Sequence, residues 1–466
     1  MKKRKLLGLL AVLGCSLLLA GCHNPFSGNS SNSKNMAPAP EAVSYEKSES
    51  VAADIYLDGT TSMYGYVNYS GGTIYDDAVK ELDRTLTKNW KNDSIRYIKF
   101  GDTFQEMNRD TFMQMEQVGF YDQKDTSLQK VVDQMDPNKL NILVTDLFQT
   151  NQDLDSLIRS IKNKGMGEGK AIAVVGMKSQ FNGKIFDVGK NMSSLDYQTT
   201  GEEDSYRPFY VLVMGNENDT RVFVKSYQNS LPKNANAATM FLSSNLGIDT
   251  KLEEDKASNK KEKGKENAAK MAVLPNLTSS NEVMQYRLKT EDALSTAGVR
   301  MYAKDALGTI PDKYQLKVDR VEKWTDSYTT VKADDFISGT VGDAGLKDGA
   351  VNIAFTLDTA PASIKKEKGV YRVEFSLIPD KDSYLKATGV FDDWNFDDSQ
   401  INEGEDALAK VGNKTLNISK FSNMLASLNY ELNAPGFHHL YAYFNLICQK
   451  SSTSKVGDEG RSGEFT

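Results

Sequence analysis

The 466-residue sequence predicts an α/β fold: a doubly wound, mostly parallel sheet over residues 51–230, followed by a β-rich domain over 281–450. Three observations carry this. From residue 52 to about 230, short apolar runs alternate with stretches of helical apolar spacing, which implies repeated β-α-β units. Beyond about 281 the apolar period drops to two, the mark of half-buried strands. Between them, "EEDKASNKKEKGKENAAK" (253–270) is charged or small throughout and builds no core, so 231–280 reads as a domain linker or a mobile loop.

The elements follow in chain order. Lys2, Lys3, Arg4 and Lys5 precede an apolar run, Leu6–Ala20, that is short for a membrane span. It ends in Leu19-Ala20-Gly21-Cys22, which resembles a bacterial lipobox. The resemblance implies that residues 1–21 are a signal peptide and that Cys22 carries lipid. The mature lipoprotein would then sit on the outer face of the cell membrane through its lipid anchor. Residues 22–50, rich in Ser, Asn, Pro and Ala, read as a flexible tether.

Asp54–Leu57 reads as a strand, and Ala78, Leu82, Leu86 and Trp90 place a helix over 75–90. Ile95–Phe100 is the next strand, with Thr103–Met107 returning beside it. Leu128, Val131, Val132 and Met135 mark a helix; Leu140–Val144 is a buried strand. Leu154, Leu157, Ile158 and Ile161 mark another helix, closed by Lys164-Gly165. Ala171–Val175 and Phe209–Met214 are strands, the latter followed by a helix around Val222–Tyr227. In the second half, Tyr314, Leu316 and Val318 alternate with polar residues, as do Val351–Leu357 and Tyr371–Leu377. Leu416–Leu428 reads as a helix and Leu440–Cys448 as a last strand. The pattern predicts a β-sandwich of the immunoglobulin kind, with a disordered tail over 451–466.

The candidate site lies where strands end. "LDGTTSMYG" (57–65) delivers Asp58, Thr60 and Ser62 after the first strand. Asp125-Thr126-Ser127 precedes the second helix, and Thr145-Asp146 follows Leu140–Val144. In an open parallel sheet these three loops meet in the crevice at the carboxyl ends of the strands. The arrangement resembles the von Willebrand factor A (vWA) domain and its metal-ion-dependent adhesion site (MIDAS), over residues 51–230. The resemblance implies Asp58, Thr60, Ser62, Thr126 and Asp146 around Mg²⁺ (or Mn²⁺ or Ca²⁺), with an open position for a carboxylate of a protein partner. Hydroxyls at alternate positions suit a hard ion that takes six oxygens. Two departures stand out. Leu147 follows Asp146 where Gly is frequent, and "YGYVNYSGGTIY" makes the first loop long. Tyr64, Tyr66 and Tyr69 in that loop would contact the partner, or would pack on the domain's own surface.

Composition narrows the function. The net charge is −7, and about −11 once residues 1–21 are gone, which argues against a nucleic-acid partner. The three histidines are His23, His438 and His439, few for His-based hydrolysis or zinc. Of Cys15, Cys22 and Cys448, the mature fold would keep Cys448 as a small core residue and no internal disulfide. "FDDWNFDD" (391–398) reads as a solvated acidic loop pinned by Trp394, and Gly165–Gly169 as a turn. The leading expectation is therefore an anchored extracellular protein-binding module. A metal-dependent phosphoesterase using Asp58 and Asp146, and a solute-binding lipoprotein, are the alternatives.

Overall fold

The computed structural model describes residues 46–91, 94–125, 127–147, 154–188, 193–244, 249–254, 270–273, 283–289, 297–304, 307, 310–324, 326–331, 343–347, 350–355, 369–397, 411–434 and 439–447. The expectations for residues 1–21, Cys22, His23, Thr126, His438, Cys448 and 451–466 lie outside the described residues, as does most of the tether.

Nine strands belong to the first half: β1 (Ala53–Asp58), β2 (Ile95–Phe100), β3 (Phe104–Met107), β4 (Leu140–Thr145), β5 (Lys170–Ser179), β6 (Asn182–Val188), β7 (Ser193–Gln198), β8 (Arg207–Asn216) and β9 (Ala238–Ser243). Seven make one sheet in the order β3-β2-β1-β4-β8-β5-β9, and β6 and β7 form a separate hairpin. The helices are α1 (Ile74–Asn89), α2 (Arg109–Phe112), α3 (Leu128–Gln134), α4 (Leu154–Gly165), α5 (Glu217–Ser230), α6 (Lys381–Thr388) and α7 (Ile418–Asn433).

Parallel pairing is confined to the centre, β2-β1-β4. There α1 and the stretch holding α3 supply the helical crossovers that parallel neighbours require. The expectation of a mostly parallel sheet holds for this centre and fails at the flanks. β8 runs antiparallel to both β4 and β5, and β9 antiparallel to β5. The reason is the link from β5 to β8: it contains the β6–β7 hairpin and no crossover helix, so the chain re-enters the sheet reversed.

Both faces of the sheet are covered, which is why β1 and β4 are apolar without alternation. Ile55, Leu57, Ile142 and Val144 face α1 and α5, through Ala78, Leu82, Phe223 and Tyr227. Tyr56, Leu143, Val174 and Leu212 face α3 and α4, through Val131, Val132, Leu157 and Ile161. Each such fully buried side chain contributes about 1.5–3 kcal/mol. A capping box starts α1: the Thr73 hydroxyl accepts from Asp76 N, and the Asp76 carboxylate accepts from Thr73 N.

At the amino end of β1, buried Asp54 accepts from Arg96 Nε at 2.9 Å and Lys139 Nζ at 3.1 Å. Burial pushes its carboxyl up, but the hydrogen bonds from Arg96 and Lys139 outweigh this and hold it below the usual range. A carboxyl depressed in the fold stabilises above its unfolded pKa, and that contribution is lost as pH falls through its folded value. Asp54→Asn is expected to cost about 1–3 kcal/mol at pH 7. It should also lose less stability than the parent on acidification below about pH 4. Urea titrations at neutral pH and in acid read both effects.

The second sheet contains β10 (Asp249–Glu254), β11 (Lys270–Val273), β12 (Val283–Lys289), β13 (Ala297–Lys304), β14 (Lys313–Trp324), β15 (Tyr328–Val331), β16 (Asp343–Lys347), β17 (Ala350–Phe355), β18 (Gly369–Pro379) and β21 (His439–Ile447). Its order is β10-β13-β17-β16-β14-β18-β21-β12-β11, with β15 on β14. All pairs are antiparallel except β12 with β21. The stretches 314–318, 351–355 and 371–377, expected as strands, lie in β14, β17 and β18. Among the described residues these strands form one continuous hydrogen-bonded ladder. The stretch 231–280 is also more than a linker: β9 closes the edge of the first sheet, and β10 and β11 join the second.

The chain then returns to the first half. Between β18 and β21 it carries α6, α7 and a short pair, β19 (Asn395–Phe396) with β20 (Thr415–Leu416). Tyr384, Phe391, Ile418, Phe421 and Leu425 pack in the core with Tyr210, Leu212, Val174 and Met240. Asn429 Nδ2 donates to Ser243 O at 3.1 Å and to Tyr384 OH at 2.9 Å. The acidic stretch starting at Phe391 is part of this packing: Phe391 meets Tyr210 edge-on at 5.5 Å, and Asp392 accepts from Ser419 Oγ at 2.5 Å. Gly165–Gly169 is a turn between α4 and β5, with Gly167 and Gly169 at positive φ.

Candidate metal centre

β1 ends at Asp58, in the middle of the parallel trio, and the chain leaves through Gly59. Gly59 is required by close approach: a Cβ there would stand 2.5 Å from Lys99 Cε. Beyond it, Asp58, Thr60, Ser62 and Asp146 are 0, 1, 6 and 4 % exposed. Four oxygen-bearing side chains are thus buried at the carboxyl ends of two adjacent strands.

Their geometry is tight. Asp58 Oδ1 accepts from Thr60 N at 3.1 Å and from Thr60 Oγ1 at 2.7 Å. Thr60 Oγ1 and Ser62 Oγ stand 3.1 Å apart. Asp58 Oδ2 accepts from Thr145 Oγ1 at 2.9 Å, and Thr145 Oγ1 accepts from Leu147 N at 3.1 Å. The hydrogen bonds on Asp58 thus join the exit of β1 to the exit of β4. Burial pushes the Asp58 carboxyl up to about 7, helped by the charge of Asp146 and opposed by the hydrogen bonds from Thr60 and Thr145.

This donor set fits a hard divalent cation. In an octahedral Mg²⁺ shell with bonds of about 2.1 Å, neighbouring oxygens stand about 3.0 Å apart. The Thr60–Ser62 pair has that spacing. A cation beside Asp58 and Asp146 would offset the repulsion that raises Asp58. Among the described residues no cluster of three or more His, Cys, Asp or Glu forms a metal site. The ligands would therefore be two hydroxyls, which bring no charge, and two carboxylates, which reach the ion directly or through water and together balance its charge.

Thr126 lies outside the described residues, but the loop leading to it is placed. Thr61 N donates to Gln123 O at 2.9 Å, and Gln123 N donates to Gly59 O at 3.1 Å. The second loop therefore runs against the first. Leu147 adopts φ +60°, the left-handed region that glycine favours. For a leucine this stores about 1–2 kcal/mol of strain directly after Asp146.

The tyrosines separate. Met63–Tyr66 is one 3₁₀ turn, whose i and i+3 side chains share a face. Met63 and Tyr66 point inward, and Tyr66 is fully buried. Its ring stacks on Tyr75 at 5.3 Å, and its hydroxyl donates to Pro208 O. Tyr66 is thus a core residue and not a partner contact. Tyr64 and Tyr69 are half-buried.

Three contributors lie outside the ligand set expected from the sequence. Thr145, which the sequence put with Asp146 at the exit of β4, faces Asp58. Arg207 arrives because β8 is reversed, which brings the start of that strand to the end of the sheet where β1 and β4 finish. Its Nη1 donates to Val411 O at 3.3 Å, and to Gly412 O and Lys414 O at 3.1 Å each. The returning segment 411–420 is the third contributor. Tyr210 OH donates to Thr415 Oγ1 at 2.9 Å, and a cavity of about 100 Å³ remains between Asp146, Leu147, Phe186, Arg207, Thr415 and Lys420.

The β6–β7 hairpin flanks the site on another side. Gly65 and Gly183 pass so closely that a Cβ on Gly183 would stand 2.7 Å from Gly65 Cα. Gly183→Ala is expected to push the hairpin off the 3₁₀ turn and to cost about 1–3 kcal/mol. A melt of the variant against the parent reads the loss, and an unchanged melting temperature would refute the close contact.

Compared with known proteins, the chain matches no protein-family model and no curated protein.

Proposed function

We propose that this chain is a membrane-anchored extracytoplasmic binding protein. Its vWA-like domain would hold Mg²⁺, Mn²⁺ or Ca²⁺ through Asp58, Thr60, Ser62 and Asp146, and take an acidic side chain of a protein partner at the ion's open position. The observation that carries the reading is the Thr60–Ser62 hydroxyl pair, spaced 3.1 Å apart on Asp58 and next to Asp146. Hydroxyl ligands leave the ion electrophilic, which suits capture of a carboxylate. The sheet order β3-β2-β1-β4, with β3 antiparallel, supports the vWA-like reading. The reversed β8 between β4 and β5 departs from a doubly wound pattern.

The described chain enters the fold at the end of the sheet away from the site. Ser48 N donates to Asp219 Oδ1 at 2.8 Å, at the start of α5. That end of the sheet is level with Ala53 and Leu140, opposite Asp58 and Asp146.

The test is a titration of metal-stripped protein with Mn²⁺, followed by electron paramagnetic resonance. One ion per chain is expected, and Thr60→Val, which removes one ligand at constant shape, should weaken binding about tenfold or more. Equal affinity in parent and variant would remove Thr60 from the site.

A further inference from the structure

Beside the metal centre, and separate from it, runs an open groove of about 720 Å³ between the 3₁₀ turn after β1 and the β6–β7 hairpin. Its volume is in the range of small-molecule sites, about 300–1,000 Å³. Three rings line it, Tyr64, Phe186 and Tyr197. Three side-chain amides stand among them, Asn68, Asn182 and Gln198. Its two charges, Lys184 and Asp196, face each other across the hairpin at 3.4 Å, so the lining is close to neutral.

We propose that this groove binds a neutral saccharide. A sugar ring presents an apolar C–H face and a rim of hydroxyls, each both donor and acceptor. An aromatic face, negative at its centre, attracts polarised C–H groups. A carboxamide offers donor and acceptor together, which matches a hydroxyl rim better than an ammonium or a carboxylate does. The groove supplies both in one place. Among the described residues the Tyr64 hydroxyl and the amides of Asn182 and Gln198 make no hydrogen bond to protein, which leaves them for a ligand. Asn68 uses its Nδ2 on Asn182 O at 3.0 Å and keeps its amide oxygen.

The groove is also held in shape before any ligand arrives. Tyr197 OH donates to Ser205 O at 2.5 Å, and its ring lies 6.4 Å from Phe181 and against Gly412. The Gly65–Gly183 contact fixes the opposite wall. A preformed site loses less entropy on binding. The paired charges disfavour phosphates and acidic polymers, and the amide-rich lining disfavours an apolar peptide.

The experiment is calorimetric titration of the full chain, in EDTA, with chitohexaose, cellohexaose, maltohexaose and mannohexaose. EDTA separates this proposal from the metal reading, because the groove needs no ion. Saturable binding of at least one oligosaccharide is expected, weakened about tenfold by Tyr64→Ala and at least several-fold by Gln198→Ala. Gln198 is exposed, so the melting temperature of Gln198→Ala should match the parent, and Tyr64→Phe, which keeps the ring packed against the core, serves beside Tyr64→Ala as the variant that leaves stability unchanged and loses only the hydroxyl. Binding of none of the four, or binding that neither variant weakens, would overturn the proposal. So would Tyr64-dependent binding of a neutral extended peptide pool in their place.

Discussion

Replacing Asp58 with asparagine is expected to make the metal-free protein more stable above pH 7, and to abolish its stabilisation by Mg²⁺. The carboxyl is fully buried, near Asp146, and its pKa is raised from 3.8 to about 7. A raised carboxyl opposes folding when it is ionised. That cost is complete above about pH 7 and fades as pH falls toward the unfolded value, because the folded state then keeps its proton. A shift of this size corresponds to a few kcal/mol, since each pKa unit is about 1.4 kcal/mol. Asparagine keeps the shape and an acceptor for Thr60, and it carries no charge. Without metal, the variant should therefore melt above the parent at pH 8 and lose most of that advantage by about pH 4. With Mg²⁺ at a hundred times its dissociation constant the order reverses, because only the parent gains about 2.7 kcal/mol. A variant that is less stable than the parent in EDTA at pH 8, or that gains as much from Mg²⁺, would remove Asp58 from the centre of the site.

The second large effect is expected at Arg207. Arg207→Met keeps the length and apolar stem but removes the donors to Gly412 O and Lys414 O, and the guanidinium 5.4 Å above the Phe181 ring. Buried carbonyls left without a donor, together with the lost charged hydrogen bonds, should cost about 3 kcal/mol. The loss should be local in hydrogen exchange: amides of 411–420 lose protection while those of β1 and β4 keep theirs. Arg207→Lys should rescue little, because one ammonium does not span the carbonyls that the guanidinium reaches. Protection of 411–420 that is unchanged in Arg207→Met would mean that Tyr210–Thr415 and the apolar contacts of α7 suffice to seat it.

Much of the first half was legible because its signals are local. The apolar run of β1 fits a strand buried on both faces, and the helical spacing of Ala78, Leu82 and Leu86 gives the buried stripe of α1. Asp58, Thr60 and Ser62 were legible as a cluster because residues two apart after a strand stay near one another in space. Asp146 was placed by the rule that parallel strands end together. That same rule hid Arg207. A residue before a strand belongs at the far end of a parallel sheet, and only the reversal of β8 brings it to the site. Tyr66 was misread because its position in a 3₁₀ turn, and not its residue type, decides that it faces Phe181 and Phe209.

The sequence by itself therefore determined the α/β character of the first half, its central strands and helices, and the oxygen-rich loops at their ends. The tertiary structure alone decided the antiparallel flank, the strand order of the second sheet, and the return of 380–397 and 411–434 to cover the first sheet. The physical reason is range. Periodicity and strand-end chemistry are set by neighbours a few residues apart. The partners of β8 lie in β4 and β5, tens of positions upstream, and the clamp of Arg207 on 411–414 and the groove beside Tyr64 join residues more than a hundred positions apart.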